Sequence, residues 1–292
     1  MNAFWEQCLG CARLNLRVLT HAARGQWLSA REFSTGYDRV ADSYDAQWLS
    51  HLCAVTSELL NSTSDAPPGP ILDLGCGTGY TTAHLAERYP HRRILAVDIS
   101  EGMLEKARRR CPAQTVEFRR QEMLEAVQAT SPESVALIVS AWSLGYSKPK
   151  EIIHAIGKAL APGGVFAFVV NRMDTLSPVF TAFRRCMVKF PEQVQCALWP
   201  RFPRDWDNLA PNFARAGLVT LWQKENAIPL EPPEPEAILP WLLQTGVLAG
   251  FDAVLPLREG GPAAEYVEAQ LEQCAEPLEH HYIAGILRKE NP

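Results

Sequence analysis

No apolar run in this chain of 292 residues approaches the roughly 18 residues a bilayer-spanning helix needs, which excludes a transmembrane anchor from the expected architecture. No signal-peptide core is visible either. The first thirty residues hold Arg13, Arg17, Arg24 and Arg31 in a pattern that reads as an amphipathic leading helix rather than a transit peptide. Metal-ligand spacing is also missing. Of eight cysteines, Cys8 and Cys11 form a lone C-x-x-C with no second pair or histidine pair at zinc distance. On a helix those two share a face, so packing is the simpler account, and no metal is expected. A strong basic excess is absent. With net charge -5 and one short basic run, Arg108 to Arg110, the chain lacks the footprint of a nucleic-acid binder. The scattered cysteines suit a reducing cytoplasm. Neither internal repeats nor low-complexity tracts occur.

What is present is alternation. After a helical N-terminal region from Phe4 to Leu60, the proline-rich "NSTSDAPPGP" (Asn61 to Pro70) reads as a linker. Short apolar strands and amphipathic helices then take turns: strands at 71–74, 93–97, 115–119, 134–140 and 165–170, helices at 81–89, 101–110 and 149–160. That order predicts an α/β fold, a parallel sheet with helices on both faces. Beyond Asn171 the pattern loosens into helices at 180–189, 209–216, 237–248 and 263–274, a strand at 218–222, and a last strand at 280–289. A second proline-rich break, "IPLEPPEPE", covers 228–236. The expected division is an N-terminal helical cap over 1–66 and a sheet domain over 67–292. A helical lid insertion at about 230–279 carries Trp241, Leu242, Phe251 and Tyr266.

The chemistry concentrates in "ILDLGCGTGY", Ile71 to Tyr80. A buried strand breaks into a loop holding Gly75, Gly77 and Gly79, at the carboxyl end of the sheet where ligands of such folds bind. Glycines there let backbone approach a ligand. The dinucleotide fingerprint G-x-G-x-x-G would need a glycine at Tyr80, and a P-loop would need G-K-[ST] after the loop. Asp73 beside the glycines repels phosphate and favours a cationic ligand. Asp98, ending the second strand, is spaced to accept hydrogen bonds from a ribose diol.

"ILDLGCGTGYTTAHLAERYPHRRILAVDISEGMLEKARRR" resembles the first half of the class I S-adenosylmethionine-dependent methyltransferases, and "ALAPGGVFAFVV" resembles their later Pro-Gly-Gly strand. The resemblance covers about Pro70 to Val170. It implies a Rossmann-like, mostly parallel seven-stranded sheet, S-adenosylmethionine as cofactor and S-adenosylhomocysteine as product. It places Asp73, Gly75, Cys76, Gly77 and Gly79 around the methionine part and Asp98, with Ile99 and Met103, near the ribose. Glu122 and Met123 fall at the adenine, though the family often has Gly-Asp where this chain has Gln121-Glu122. Ser140, Ala141 and Trp142 follow the fourth strand. "YDRVADSYDAQW" resembles the segment before the glycine loop in small-molecule members. There Tyr37 and Tyr44, seven apart and so on one helix face, either close over the cofactor or pack the cap.

The acceptor should sit across the ends of the fourth and fifth strands, near Trp142, Ser143, Tyr146, Asn171, Arg172 and Asp174. Arg172 could clamp a carboxylate or pair with a lid acid. His280, His281, Tyr146 and Arg172 are the weak candidates for catalysis, and His51 in the cap is weaker still. The expected function is methyl transfer to oxygen, nitrogen or carbon of a small molecule, with oligomeric state open. Two rivals stand beside it: a non-catalytic binder of the cofactor or its product, and an NAD(P)-dependent oxidoreductase, which Tyr80 disfavours.

Overall fold

The computed structural model describes residues 3–63, 66–197, 202–231, 234 and 238–290. Parts of both proline-rich segments, 64–65 and 232–233 with 235–237, lie outside the described residues. The chain runs through α1 (Ala3–Ala23), α2 (Ala30–Val40), α3 (Ser50–Asn61), β1 (Ile71–Leu74), α4 (Tyr80–Arg88), β2 (Ile94–Asp98) and α5 (Glu101–Arg110). It continues through β3 (Val116–Arg120), α6 (Met123–Gln128), β4 (Val135–Ala141), α7 (Pro149–Ala159) and β5 (Leu160–Asn171). The last part comprises α8 (Ser177–Lys189), α9 (Trp206–Arg215), β6 (Leu218–Pro229), α10 (Ile238–Gln244), α11 (Pro262–Glu272) and β7 (Glu279–Lys289).

Two compact units share these elements. The sheet unit comprises Leu49–Thr175, Arg201–Ile228 and His280–Pro292; the helical unit comprises Met1–Trp48, Leu176–Pro200 and Pro229–Glu279. The division falls after Trp48, inside the helical N-terminal region, and not in the proline-rich linker. The reason is α3. Its Val55, Leu59 and Leu60 are buried in one cluster with Ile71, Leu137, Val139 and Val169 of the sheet.

The seven strands lie in the order β3-β2-β1-β4-β5-β7-β6. Pairs from β3 to β5 are parallel, and β7 runs antiparallel to β5. Strands buried on both faces read as continuous apolar runs, which is why "ILDL" and "VALIVSA" were legible. One face is filled by α6, α7 and α9 through Ala126, Ile152, Ile156 and Phe213, which share a cluster with Phe166 and Phe168 of β5. The other is filled by α3 and α4.

The expected single helical stretch from Phe4 to Leu60 is broken. Gly25 takes φ +69 after α1. Ser29 then caps α2 in a capping box with Glu32, which fixes a new helix start. In the helical unit, α11 and α1 both pack on α8. Phe33 and Phe251 meet edge to face at 5.8 Å, and Trp48 meets Trp241 at 6.3 Å. The buried Asp252 carboxylate receives Arg39 and Arg258.

Candidate functional site

The loop after β1 is held by backbone bonds. Gly75 N and Cys76 N both donate to Val97 O, at 2.8 and 2.9 Å, so the chain folds back over the end of β2. Its three glycines serve different ends. A Cβ on Gly75 would collide with Ser143, which follows β4. One on Gly79 would meet Ala107 of α5 at 2.8 Å. Gly77 takes φ +53, and a Cβ there would meet no atom within 4 Å. Two glycines are therefore demanded by the protein's own packing, while the third borders open space. Tyr80, at the place of a third dinucleotide glycine, opens α4 and bonds Ser57 Oγ at 2.9 Å through its hydroxyl.

Asp98 lies beside that open space. Its Oδ2 accepts from Gly77 N and its Oδ1 from Ser100 N, each at 2.9 Å. Asp73 is fully buried, and Thr82 Oγ1 donates to its Oδ2 at 2.6 Å. Its Oδ1 is buried with no hydrogen-bond partner. Burial, with the nearby Asp98 charge, raises the Asp73 carboxyl to about 7 despite the Thr82 bond. A buried carboxylate oxygen without a donor costs free energy until a donor arrives. Cys76 is buried too, and burial plus the two acids push its thiol well up. It is an inert wall and no nucleophile.

At the end of β3, Gln121 N donates to Asp98 O at 2.9 Å, which ties the start of the next loop to the end of β2. Glu122 caps α6, accepting from Glu125 N at 3.1 Å and from Ser147 Oγ at 2.9 Å. Its carboxylate is thus already engaged. Gln121 carries a buried, unpartnered Oε1 instead. Sequence reasoning passed over it, because a family comparison puts a glycine there. Met123 is buried, with its sulfur 3.3 Å from where a Gly75 Cβ would stand. Met103 is buried under the loop and donates its N–H to Ser100 Oγ at 3.1 Å. Ile99 O accepts from Arg120 Nε at 3.0 Å.

Beyond β4 the chain takes an uncommon turn. Trp142 has φ +65, a left-handed value that a bulky residue holds only when its surroundings fix it. Its N–H donates to Val169 O at 2.7 Å, and its Nε1 donates to Thr56 Oγ1 of α3 at 3.0 Å. His280 and Tyr282 pack against its ring at 4.9 and 5.7 Å. Ser140 and Ser143 share a hydrogen bond at 2.8 Å, and Ser143 donates to Leu74 O at 2.6 Å, joining β4 to β1. Ala141 lies half-buried among them.

The four catalytic candidates differ in their surroundings. Tyr146 stacks edge-on against Phe202 at 5.7 Å. His280 shares a hydrogen bond with Asn171 Oδ1 at 2.9 Å, and burial, with the charges of His281 and His51, lowers it to about 3. A group so low is a poor proton acceptor at neutral pH. His281 shares Asp174 Oδ2 with Arg172, at 2.9 Å each. Although burial would raise it, those partners hold the Asp174 carboxyl below its usual range. Arg172 also donates to Glu225 of β6 at 3.3 Å. Arg172 is thus ion-paired to two acids of the sheet unit, neither of them in the expected lid insertion, and its buried Nε has no hydrogen-bond partner.

Tyr37 and Tyr44 belong to the helical unit. The single helix expected to align them ends at Val40. Their rings still meet edge to face at 6.3 Å, against Gly246, whose added Cβ would meet Tyr44 at 2.6 Å. Among the described residues no cluster of His, Cys, Asp or Glu could hold a metal ion, and none of the helices is long and apolar enough to cross a membrane.

The methyltransferase domain family matches residues 71–164. Trans-aconitate 2-methyltransferase of Sinorhizobium fredii is 30% identical over 218 residues, 72% of this chain and 81% of the relative. Malonyl-[acyl-carrier protein] O-methyltransferase of Anoxybacillus flavithermus is 30% identical over 173 residues, 59% of this chain and 62% of that protein. The YcgJ protein of Bacillus subtilis shares the fold, with TM-score 0.53 at 12% identity, covering 81% of this chain and 98% of its own. The site fits the cofactor of such enzymes. Gly77 leaves room at the backbone, and Asp73 has a buried oxygen that no described donor satisfies. The chain belongs to the class I S-adenosylmethionine-dependent methyltransferases, and its activity is methyl transfer from that cofactor.

Proposed function

We propose that the acceptor is a small organic acid and that the methyl group goes to a carboxylate oxygen. The observation that carries this is His280, buried against Trp142 and bonded to Asn171, which is held too low to take a proton from an acceptor beside it. His281, oriented through Nδ1 by Asp174, is the base that an acceptor needing deprotonation would use instead. A carboxylate, with an ordinary pKa near 4, is already ionised at neutral pH and needs no proton removed. The two relatives named above are, by their names, methyltransferases of trans-aconitate and of malonyl-acyl-carrier protein, both carrying carboxyl groups. The cofactor supplies a methyl group already activated on a sulfonium.

The chain's own residues then bind, orient and exclude water. Asp73 receives the ammonium of the methionine part, completing its vacant oxygen. Asp98 takes the ribose hydroxyls beside Gly77. Gln121 and Glu122 face the adenine with Met123 against the base. Trp142, held in its left-handed turn, forms a rigid wall at the acceptor end. Eight free thiols suit work in a reducing cytoplasm.

Incubation with methyl-labelled S-adenosylmethionine and a panel of di- and tricarboxylates, phenols and amines tests this. A methyl ester releases its label as methanol in alkali, whereas ethers, methylamines and C-methyl products keep it. Label transferred only to alkali-stable products would overturn the carboxylate assignment.

A further inference from the structure

Helix α1 turns large apolar side chains toward solvent. Trp5 is 62% exposed, Leu9 49%, and Leu16 and Leu19 67% each. Ala12 and Ala23 are exposed in line with them. Positions 5, 9, 12, 16, 19 and 23 alternate steps of four and three. That is the 3.5-residue period of a seam that meets another helix. The opposite side of α1 is already in use. A Cβ on Gly10 would meet Val188 O of α8 at 2.6 Å. Arg17 Nε donates to Val194 O at 3.0 Å, and buried His21 faces the same carbonyl at 2.9 Å. One face fastens the helix, and the seam looks outward.

We infer that this seam docks a second copy of the chain, with the two α1 helices antiparallel about a two-fold axis at the level of residue 14. Such a pairing sets each position i opposite 28 - i of the other copy. Trp5 then meets Ala23 of the partner subunit, Leu9 meets Leu19 of the partner subunit, and Ala12 meets Leu16 of the partner subunit. Small residues lie opposite large ones at both the ends and the middle, the self-complementarity an isologous interface requires. The two-fold also keeps each flank beside its own copy. Glu6 comes next to the partner's Arg24, and the reverse pair forms at the other end. The second flank, Cys8, Asn15 and Ala22, carries no charge. Arg13 faces its copy near the axis, an opposing but solvent-exposed contact. A lipid surface explains less. It imposes no 3.5-residue period, and of the arginines Arg13, Arg17 and Arg24 that would meet its headgroups, Arg17 is turned back onto Val194 O.

Sedimentation velocity of the full chain over a concentration series tests the inference. A dimer is expected for the native sequence. Leu16→Glu with Leu19→Glu should raise its dissociation constant roughly thirtyfold or more, as loss of a central apolar anchor does, with circular dichroism unchanged. Glu6→Arg alone should weaken the dimer, and adding Arg24→Glu should restore it. A monomer at every concentration would overturn the proposal, as would a dimer that ignores the leucine pair or a charge swap without rescue. Adsorption of a monomeric chain to phosphatidylglycerol vesicles, lost in the leucine variant, would assign the seam to lipid instead.

Discussion

A side chain at Gly77 would enter space that the protein itself leaves open within 4 Å, whereas one at Gly79 would strike Ala107 at 2.8 Å. The same substitution therefore separates ligand binding from packing. Gly77→Val should keep a cooperative melt, losing about 1–2 kcal/mol for its left-handed backbone, yet no longer bind S-adenosylhomocysteine by calorimetry. Gly79→Val should lose the fold. Retained affinity in a folded Gly77→Val protein would make that glycine a mere turn. Asp73 gives a second test at this scale. Its carboxyl sits at about 7 against an ordinary 3.8, so the folded chain holds that proton more tightly than the unfolded one. The stability it contributes is full below about 3.8 and is lost as pH rises through about 7. Binding runs the other way, because a cationic amine needs the ionised acid. Affinity for S-adenosylhomocysteine should fall by up to about tenfold per pH unit below neutrality. Asp73→Asn should bind more weakly with a flat profile, and a native profile already flat from pH 6 to 8 would contradict the assignment.

Among the elements, α3 carries the clearest consequence. Val55, Leu59 and Leu60 cover the sheet, at about 1.5–3 kcal/mol for each buried side chain. That sum rivals the whole stability of a domain, about 5–15 kcal/mol. A chain starting at Pro67 should thus lack a cooperative thermal transition, while one starting at Leu49 should keep it; equal melts would show α3 to be dispensable. The linker made Pro67 look like the natural cut because proline and glycine mark a break in the chain without saying which core a helix joins. β1, β2, β4 and β5 were legible for the opposite reason: burial on both faces writes itself as an apolar run. Six-residue α6 is too short for a helical period to show. The polar outer part of β6, "QKEN", hid the strand's true length. In the site, Asp73, Asp98 and the glycines were readable because spacing along one loop fixes them. Arg172 was not. Its partner Glu225 is 53 residues away, and only the fold brings that acid to it.

At the scale of the molecule, the chain alternates between its two units through Met1–Trp48, Leu49–Thr175, Leu176–Pro200, Arg201–Ile228, Pro229–Glu279 and His280–Pro292. The residues assigned to the cofactor, apart from Tyr37 and Tyr44, all belong to the sheet unit. A ligand that binds only the native state stabilises it by mass action, by about 2.7 kcal/mol at a hundred times its dissociation constant. For a chain of this size each kcal/mol moves the melting temperature by about 2–4 °C. S-adenosylmethionine or S-adenosylhomocysteine at that excess should raise it by roughly 5–10 °C. NAD and ATP should leave it nearly unchanged, since Tyr80 fills the third-glycine position and the buried Asp73 beside the loop opposes phosphate. If the units melt in separate steps, only one step should move, and the amides of residues 73–79 and 98–100 should gain protection from hydrogen exchange with it. A shift of equal size with NAD, or protection confined to the helical unit, would remove the cofactor from the β1 loop.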